Sequence, residues 1–388
     1  HRKYEGIKHS IYAKHPKEEL PRVIIGGKDC KQPYNASLFN ISAMSFGALS
    51  DRAQMALNRG AKKGNFYHNT GEGGISPHHL EGGDLCWQIG TGYFGCRNEE
   101  GNFDAELFTK YSNLDNVKMI EIKLSQGAKP GHGGVLPAVK NTPEIAKIRH
   151  VPPGVTILSP PSHSAFSDAE GLLRFVQQLR ELSGGKPVGF KLCIGDTKEF
   201  EDICEQMNIL NIYPDFITID GAEGGTGAAP PEFSDGVGMP LEPALIFVNR
   251  TLINYELRDK LRIIASGKVL TSLDILRAVA MGADLCNNAR GFMFSLGCIQ
   301  ALRCNTNTCP TGVATQDKML IKGLDTNDKT ERVYQFHKNT LHTCNELIAA
   351  AGRESYDQVD ASMFMRGDEF EHLSDLYFPD ILENVRKR

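Results

Sequence analysis

The stretch "LRIIASGKVLTSLDILRAVAMGADLCNNARG" (residues 261–291) reads as strand, helix, strand. "LRIIASGK" (261–268) is a short apolar run that ends in a polar turn with glycine. "SLDILRAVAMGA" (272–283) carries apolar residues at i, i+3, i+4 spacing and ends near glycine, as an amphipathic helix does. "ADLCNNARG" (283–291) is a second run with the same polar ending. Runs that are apolar throughout suit parallel strands covered on both faces.

The same unit recurs toward the N-terminus. Six further runs precede it: "LFNISAMSFG" (38–47), "NFYHNTGEGG" (65–74), "KMIEIKLSQGAKPGHGG" (118–134), "VTILSPP" (155–161), "VGFKLCIG" (188–195) and "DFITIDGAEGG" (215–225). Helical patterns such as "DRAQMALNRGAKKG" (51–64), "AEGLLRFVQQLRELSGG" (169–185) and "EFEDICEQMNILNI" (199–212) lie between some of them. Eight strands with helices between them predict an α/β fold, a (β/α)8 TIM barrel, from about residue 36 to 300. The alternative is an open doubly wound sheet. That fold gathers its polar and Gly-rich residues at one switch point, whereas here they follow the strand ends throughout. Residues 1–35 are expected to form an N-terminal segment that wraps the barrel, 36–317 the barrel with its cysteine-rich loop, and 318–388 a C-terminal helical extension. Residues 85–117 fit the repeat poorly and read as an insertion.

Composition narrows the class. The chain has 388 residues, 40% of them hydrophobic, and a formal net charge of −4. That balance argues against nucleic acid, which favours a basic face. No run of about 20 apolar residues is present, so no segment here spans a bilayer. A cytoplasmic location is expected, with a membrane anchor upstream of His1 left open. Seven of the ten cysteines are scattered and read as buried free thiols of a reducing compartment.

The strand ends carry the candidate chemistry. "ASGK" (265–268) with Gly267, and "NARG" (288–291) with Arg290 and Gly291, occupy the loops after strands seven and eight, where barrels often bind phosphate. "GAEGGTGAAP" (221–230), with Gly224 and Gly225, adds a Gly-rich turn after strand six. Lys191 sits inside an apolar strand. It is either paired with a core carboxylate or placed beside an anionic ring such as a reduced flavin. "SQGAKPGHGGVLP" (125–137) presents Gln126, Lys129 and His132 from a rigid loop, which suits a carboxylate-bearing substrate. Glu72, in "HNTGEGGISPHH" (68–79), is a candidate to hold an amine or ammonium group.

"ARGFMFSLGCIQALRCNTNTCPTGVATQ" (289–316) gathers Cys298, Cys304 and Cys309. Gaps of five and four residues do not fit the paired spacing of structural zinc. A catalytic nucleophile would need one cysteine. Three thiolates match the three irons of a 3Fe–4S cluster, and Pro310 directly after the last cysteine also occurs in iron–sulfur runs. Zinc and free thiols are the competing readings.

Taken in order, "ISAMSFGALS", "NTGEGG", "QGAKPGHGG", "SPP", "GGTGAAP" and "GCIQALRCNTNTCPTGVATQ" resemble the FMN-binding synthase domain of glutamate synthase, and most closely the shorter FMN-binding proteins of that family. The resemblance implies a (β/α)8 barrel with FMN and a 3Fe–4S cluster. In the family, 2-oxoglutarate and ammonia give 2-iminoglutarate, and reduced FMN delivers hydride to the imine carbon. It further implies that Ser42, Ala43, Met44 and Ser45 line the flavin, and that Gln88 and Lys191 contact its ring. Gly267, Arg290 and Gly291 would hold its phosphate, with Gly224 and Gly225 beside them. Gln126 and Lys129 would face the oxo acid, Glu72 the imine nitrogen, and Cys298, Cys304 and Cys309 would ligate the cluster. Expected partners are a small 2-oxo acid with ammonia or an amine, a ferredoxin or separate reductase subunit as electron donor, and a second copy of the chain in a homo-oligomer. No pyridine-nucleotide fingerprint follows a strand.

The chain departs from the family pattern at "TGYFG", where Tyr93 replaces an arginine, at His132 within the "QGAKPGHGG" loop and Val135 after it, and at "SGK" (266–268), where the family has "DGG". Two alternatives follow. One is a related FMN barrel acting on a different amine or oxo acid, like N-methylglutamate synthase. The other is an electron-relay subunit.

Overall fold

The strand-forming runs are buried on both faces, and eight of them close into a parallel barrel. The structure is a computed structural model and describes residues 5–225, 229–234 and 236–366. The barrel strands are β1 (Phe39–Ile41), β2 (His68–Asn69), β3 (Leu85–Ile89), β4 (Val117–Lys123), β5 (Val188–Leu192), β6 (Phe216–Asp220), β7 (Arg262–Ser266) and β8 (Leu285–Asn288). They follow one another in chain order around the barrel, with β8 beside β1 and β4 beside β5. All five residues of β5 and all five of β6 are buried, Lys191, Thr218 and Asp220 among them in otherwise apolar runs.

One strand differs from the sequence expectation. Ile157–Leu158, in "VTILSPP", does not enter the barrel; it pairs antiparallel with Val135–Leu136 in a small hairpin outside it. The barrel takes Leu85–Ile89 instead, from the segment expected to be an insertion. The reason is local. "VTIL" is apolar but lies between Pro152–Pro153 and Pro160–Pro161, and Leu158 stays exposed. "LCWQI" is interrupted by Gln88, whose side chain is nonetheless buried in a polar network described below.

The outer layer comprises α1 (Asp51–Gly64), α2 (Ala105–Ser112), α3 (Pro143–Arg149), α4 (Ala169–Leu182), α5 (Thr197–Leu210), α6 (Leu241–Asn254), α7 (Ser272–Ala280) and the short α8 (Arg290–Ser295). After the cysteine loop come α9 (Lys318–Ile321) and the long α10 (Thr326–Ala350). Helix α10 packs on α1, α7, α8 and β1, so the C-terminal extension completes the helical ring next to the short α8. Phe39, Phe66, Phe292 and Phe336 with His337 form the aromatic seam of that contact.

The N-terminal segment covers one end of the barrel. Arg22–Ile25 pairs antiparallel with Tyr34–Ser37. The turn between them docks where Gly27 N–H donates to Asp215 Oδ1 at 2.7 Å, and Arg180 pairs with Asp215 at 2.9 Å, just before β6 begins. Backbone N–H groups of Ser10 and Lys14 donate to carbonyls of Ala350 and Ala349 at the end of α10, and that of Lys8 to the carbonyl of Met363 in the later turn Ala361–Met363. The strands' C-terminal ends are left for the βα loops. Residues 1–4 and 367–388, the outer parts of both expected flanking segments, lie outside the described residues. Among the described residues no helix is long and apolar enough to cross a membrane.

Candidate active site

A cavity of about 460 Å³ opens at the C-terminal ends of the strands. It is bordered by Ser42, Ala43, Met44 and Ser45 after β1, Glu72 after β2, Gln88 in β3, and Gln126 and Lys129 after β4. Lys191 in β5, Gly224 and Gly225 after β6, Gly267 after β7, Arg290 after β8, and Cys298, Cys304 and Cys309 complete that set. Of the residues expected at the site, Gly291 and His132 stand apart from the lining; His132 is exposed. Gly291 is buried, and its N–H donates to Asn288 Oδ1 at 2.6 Å. In the "GGTGAAP" motif, Thr226, Gly227 and Ala228 lie outside the described residues.

Charge is the dominant property of this cavity. Among the described residues eight basic side chains border it, Lys123, Lys129, Lys140, Arg149, Lys191, Lys268, Arg290 and Arg303, against two acidic ones, Glu72 and Asp220. The chain as a whole carries −4. The fold has concentrated cations at one place in an acidic protein.

The charges fall into two groups. In the first, Lys191 Nζ lies 3.3 Å from Asp220 Oδ2, and Gly127 N–H also donates to that oxygen at 2.8 Å. Beneath them Glu121 is buried, accepting from Asn69 and Gln88 at 2.8 Å each on Oε1 and from the Thr218 hydroxyl at 2.6 Å on Oε2. Burial opposes the charge on Lys191, but the carboxylates of Asp220 and Glu121 outweigh it and hold its pKa above the ordinary lysine value. Lys191 therefore has a core carboxylate partner and borders the cavity as well.

In the second group, Lys123 at the end of β4 pairs with Glu72 at 3.1 Å. Burial would raise the Glu72 pKa, yet Lys123, Arg149 and Lys129 bring it below the usual glutamate value. Gly90 and Gly134 make room for this carboxylate, because a Cβ at either position would press against it. Lys129 Nζ donates to Gly133 O at 2.8 Å; burial first, and Lys123 second, lower its pKa. Arg149, the last residue of α3, reaches Ser45 Oγ at 3.3 Å and Phe46 O at 3.0 Å. Among the described residues its buried Nε has no partner, and burial lowers its pKa to about 10, which still leaves it charged at neutral pH.

The glycines after β6 and β7 meet a steric demand. Gly225 lies so close to the Arg290 guanidinium that a Cβ would collide with it. Gly267 has φ +137, a conformation side chains rarely adopt.

The three thiols border the same cavity from the loop after α8. Burial raises the Cys304 pKa, as do Cys298 and Cys309, whose charges it feels. Burial also opposes ionisation of Cys309, but the Thr311 hydroxyl and the backbone N–H groups of Ala314, Thr311 and Val313 bring its pKa below the usual thiol value. Gln300, Leu302 and Asn307, all non-glycine, have φ between 55° and 63°. Such left-handed turns aim backbone N–H groups inward, an arrangement recurrent around anions and iron–sulfur groups. Among the described residues no group of three His, Cys, Asp or Glu side chains stands in metal-binding geometry. The donor types fit an iron–sulfur group; the sulfurs share a cavity without converging on one point.

Tyr93, which differs from the family pattern, does not border the cavity. It is fully buried, and its hydroxyl lies 3.0 Å from His163 Nδ1 and accepts from Ala165 N–H at 3.1 Å. Val135 does border the cavity. Sequence reasoning missed Lys123, Glu121, Asp220, Lys140 and Arg149. Lys123 ends a strand on the loop face and Glu121 interrupts an apolar strand, so both carried a signal. Arg149 carried none, because a basic residue in the last turn of a helix is most often a solvated partner of the helix dipole.

Residues 7–354 match the model of the conserved region in glutamate synthase. A glutamate synthase large subunit-like protein, YerD, from Bacillus subtilis is 46% identical over 354 residues, covering 90% of this chain and 66% of that protein. An archaeal glutamate synthase (NADPH) from Methanocaldococcus jannaschii is 36% identical over 321 residues, covering 82% of this chain and 60% of its own length. The chain thus spans less than two thirds of these relatives. Among solved structures, a flavocytochrome b2 variant with sulfite bound superposes with a TM-score of 0.55 at 13% identity, over 98% of this chain and 80% of that one. At that identity the likeness concerns the fold.

Proposed function

Because the chain belongs to the glutamate synthase family, we propose that it is an FMN- and iron–sulfur-dependent oxidoreductase that aminates a 2-oxo acid reductively, turning 2-oxoglutarate and ammonia into glutamate. The observation that carries this reading is the excess of cations in the second charge group. Lys123, Lys129 and Arg149 face one carboxylate, Glu72, which leaves two positive charges for a substrate with two carboxylates. The unpaired Nε of Arg149 gives that group an unused donor.

When bound, FMN supplies the hydride and the iron–sulfur group supplies electrons to it. Ser42 to Ser45, Gln88 and Lys191 would hold the flavin, with Gly224, Gly225, Gly267 and Arg290 at its phosphate. Cys298, Cys304 and Cys309 would hold the iron–sulfur group. The chain's own residues then have separate tasks. Arg149 and Lys129 bind the carboxylates of the oxo acid, and Gln126 orients it. Glu72, ionised because Lys123 and Arg149 oppose its burial, offers an acceptor to the N–H of ammonium or an imine. Lys191 keeps a fixed positive charge where negative charge builds up on a ring. A ferredoxin or separate reductase subunit is the proposed electron source.

The test is anaerobic reoxidation of the reduced flavin by a panel of 2-oxo acids with ammonia or methylamine. We expect 2-oxoglutarate with ammonia to be fastest. Faster reoxidation with methylamine would move the reading to an N-methylglutamate synthase-like enzyme. Flavin that no oxo acid reoxidises would leave an electron relay. Arg149→Met is expected to raise KM for the oxo acid by roughly 30-fold, about 2 kcal/mol for a charged hydrogen bond, with flavin content unchanged. An unchanged KM would remove Arg149 from the site.

A further inference from the structure

Lys140 borders the cavity and has no task in the reaction above. It ends the single turn Ala138–Lys140 that follows the "QGAKPGHGG" loop, and it is 2% exposed. Its Nζ donates to three carbonyls: Ala48 at 2.7 Å, Cys304 at 3.0 Å and Ala314 at 3.2 Å. These oxygens belong to the loop after β1, to the cysteine loop, and to the segment after Cys309. Burial lowers the Lys140 pKa to about 8, against the opposing pull of Cys304 and Cys309, which leaves it mostly protonated at neutral pH; among the described residues no carboxylate is among the charges it feels.

Two other buried lysines set the comparison. Lys191 has Asp220 as its counter-charge. Lys186 donates to Ser112 and Leu114 carbonyls at the end of α2, where a cation is favoured by the helix dipole. Among the described residues Lys140 has neither a carboxylate partner nor a helix end. A buried ammonium without a counter-charge is costly. The negative charge within its reach is whatever the thiols carry.

We propose that Lys140 is the fixed counter-charge of the cysteine loop, a positioning residue that makes the iron–sulfur group held by Cys298, Cys304 and Cys309 easier to reduce. This rests on the iron–sulfur reading above. Reduction adds one electron, and hence one negative charge, to that group. A fixed cation in a low-dielectric surround stabilises the reduced form more than the oxidised one. The three hydrogen bonds also tie the cysteine loop to the loop after β1.

The test compares wild type with Lys140→Arg, Lys140→Gln and Lys140→Met in the cofactor-loaded protein. Iron and acid-labile sulfide are measured first. Each protein is then titrated with dithionite and mediators and followed by electron paramagnetic resonance. Held at the wild-type midpoint, Lys140→Gln and Lys140→Met should show at least a tenfold fall in the reduced-to-oxidised ratio, equivalent to 59 mV for one electron. Lys140→Arg, which keeps the charge, should stay within about threefold of wild type. If Gln and Met proteins with full iron content keep the wild-type ratio, or if all three variants shift alike, the proposal is overturned. If Gln and Met proteins hold no iron, iron content becomes the readout: retention in the Arg protein supports the charge role, and equal loss in all three overturns it. Wild type without iron or sulfide would overturn the iron–sulfur reading itself, a result distinct from unchanged ratios in loaded variants.

Discussion

Cys304→Ser protein is expected to lose the broad iron–sulfur absorbance and its donor-driven turnover while keeping its flavin. Cys304 is the middle of the three thiols, and it sits within electrostatic reach of both others and of Lys140. Serine keeps the volume but replaces a soft thiolate with a hard, weakly acidic hydroxyl, a poor ligand for iron. Changes to groups merely hydrogen-bonded to metal ligands already cost roughly 10–100-fold in affinity, so loss of a ligand should exceed that range. The flavin residues lie on other strands, and the fold is held by the barrel and α10, so flavin content and reoxidation by the oxo acid should remain. Absorbance and iron analysis of the variant decide the matter. If the absorbance survives at wild-type strength, Cys304 is not a ligand.

Lys191→Met is expected to lower the unfolding free energy of the cofactor-free protein by about 3–5 kcal/mol, the usual consequence of removing one partner from a buried ion pair. Methionine matches the length and the apolar stem of lysine but leaves Asp220 facing Glu121 without a cation between them. Asp220 would keep only the Gly127 N–H among its described partners, whereas Glu121 would retain the donors from Asn69, Gln88 and Thr218. The sign with pH is fixed by the raised Lys191 pKa. Its contribution is fully present below the ordinary lysine value and is lost as pH rises through the elevated one. The gap between variant and wild type should therefore persist through neutral pH and close only in strong alkali. Urea unfolding measures it. A loss under about 1 kcal/mol would mean that the pair is not coupled as described, and restoration by adding Asp220→Asn would identify the stranded carboxylate as the cause.

Most of the barrel was legible because each βα unit is a local pattern. The run at 261–291 announced strand, helix and strand within one window, and the structure has β7, α7 and β8 there. The exchange of "VTIL" for "LCWQI" shows where that reading fails. Burial on both faces is a property of position in the barrel, and an apolar run can lie outside it while a run holding Gln88 lies inside. The site was legible to the extent that its residues stand in strand-end motifs. Glu72, Gln126, Lys129 and the cysteines all follow strands or the short helix after β8. Arg149 and Lys140 lie in the long connection between β4 and β5, and only their convergence on the cavity distinguishes them from surface cations.

By itself the sequence determined the fold class, the face of the barrel on which the cavity opens, and the side-chain types available there, because these follow from periodicity and from residues next to strand ends. Only the tertiary structure decided the charge of the site. A net charge of −4 is an average over the chain. The surplus of cations in the cavity, the pairing of Lys191 with Asp220 and of Lys123 with Glu72, and the lack of a carboxylate beside Lys140 are properties of groups dozens of residues apart. Coulombic energy depends on separation in space and on exclusion of water, and a linear order of residues fixes neither until the barrel closes.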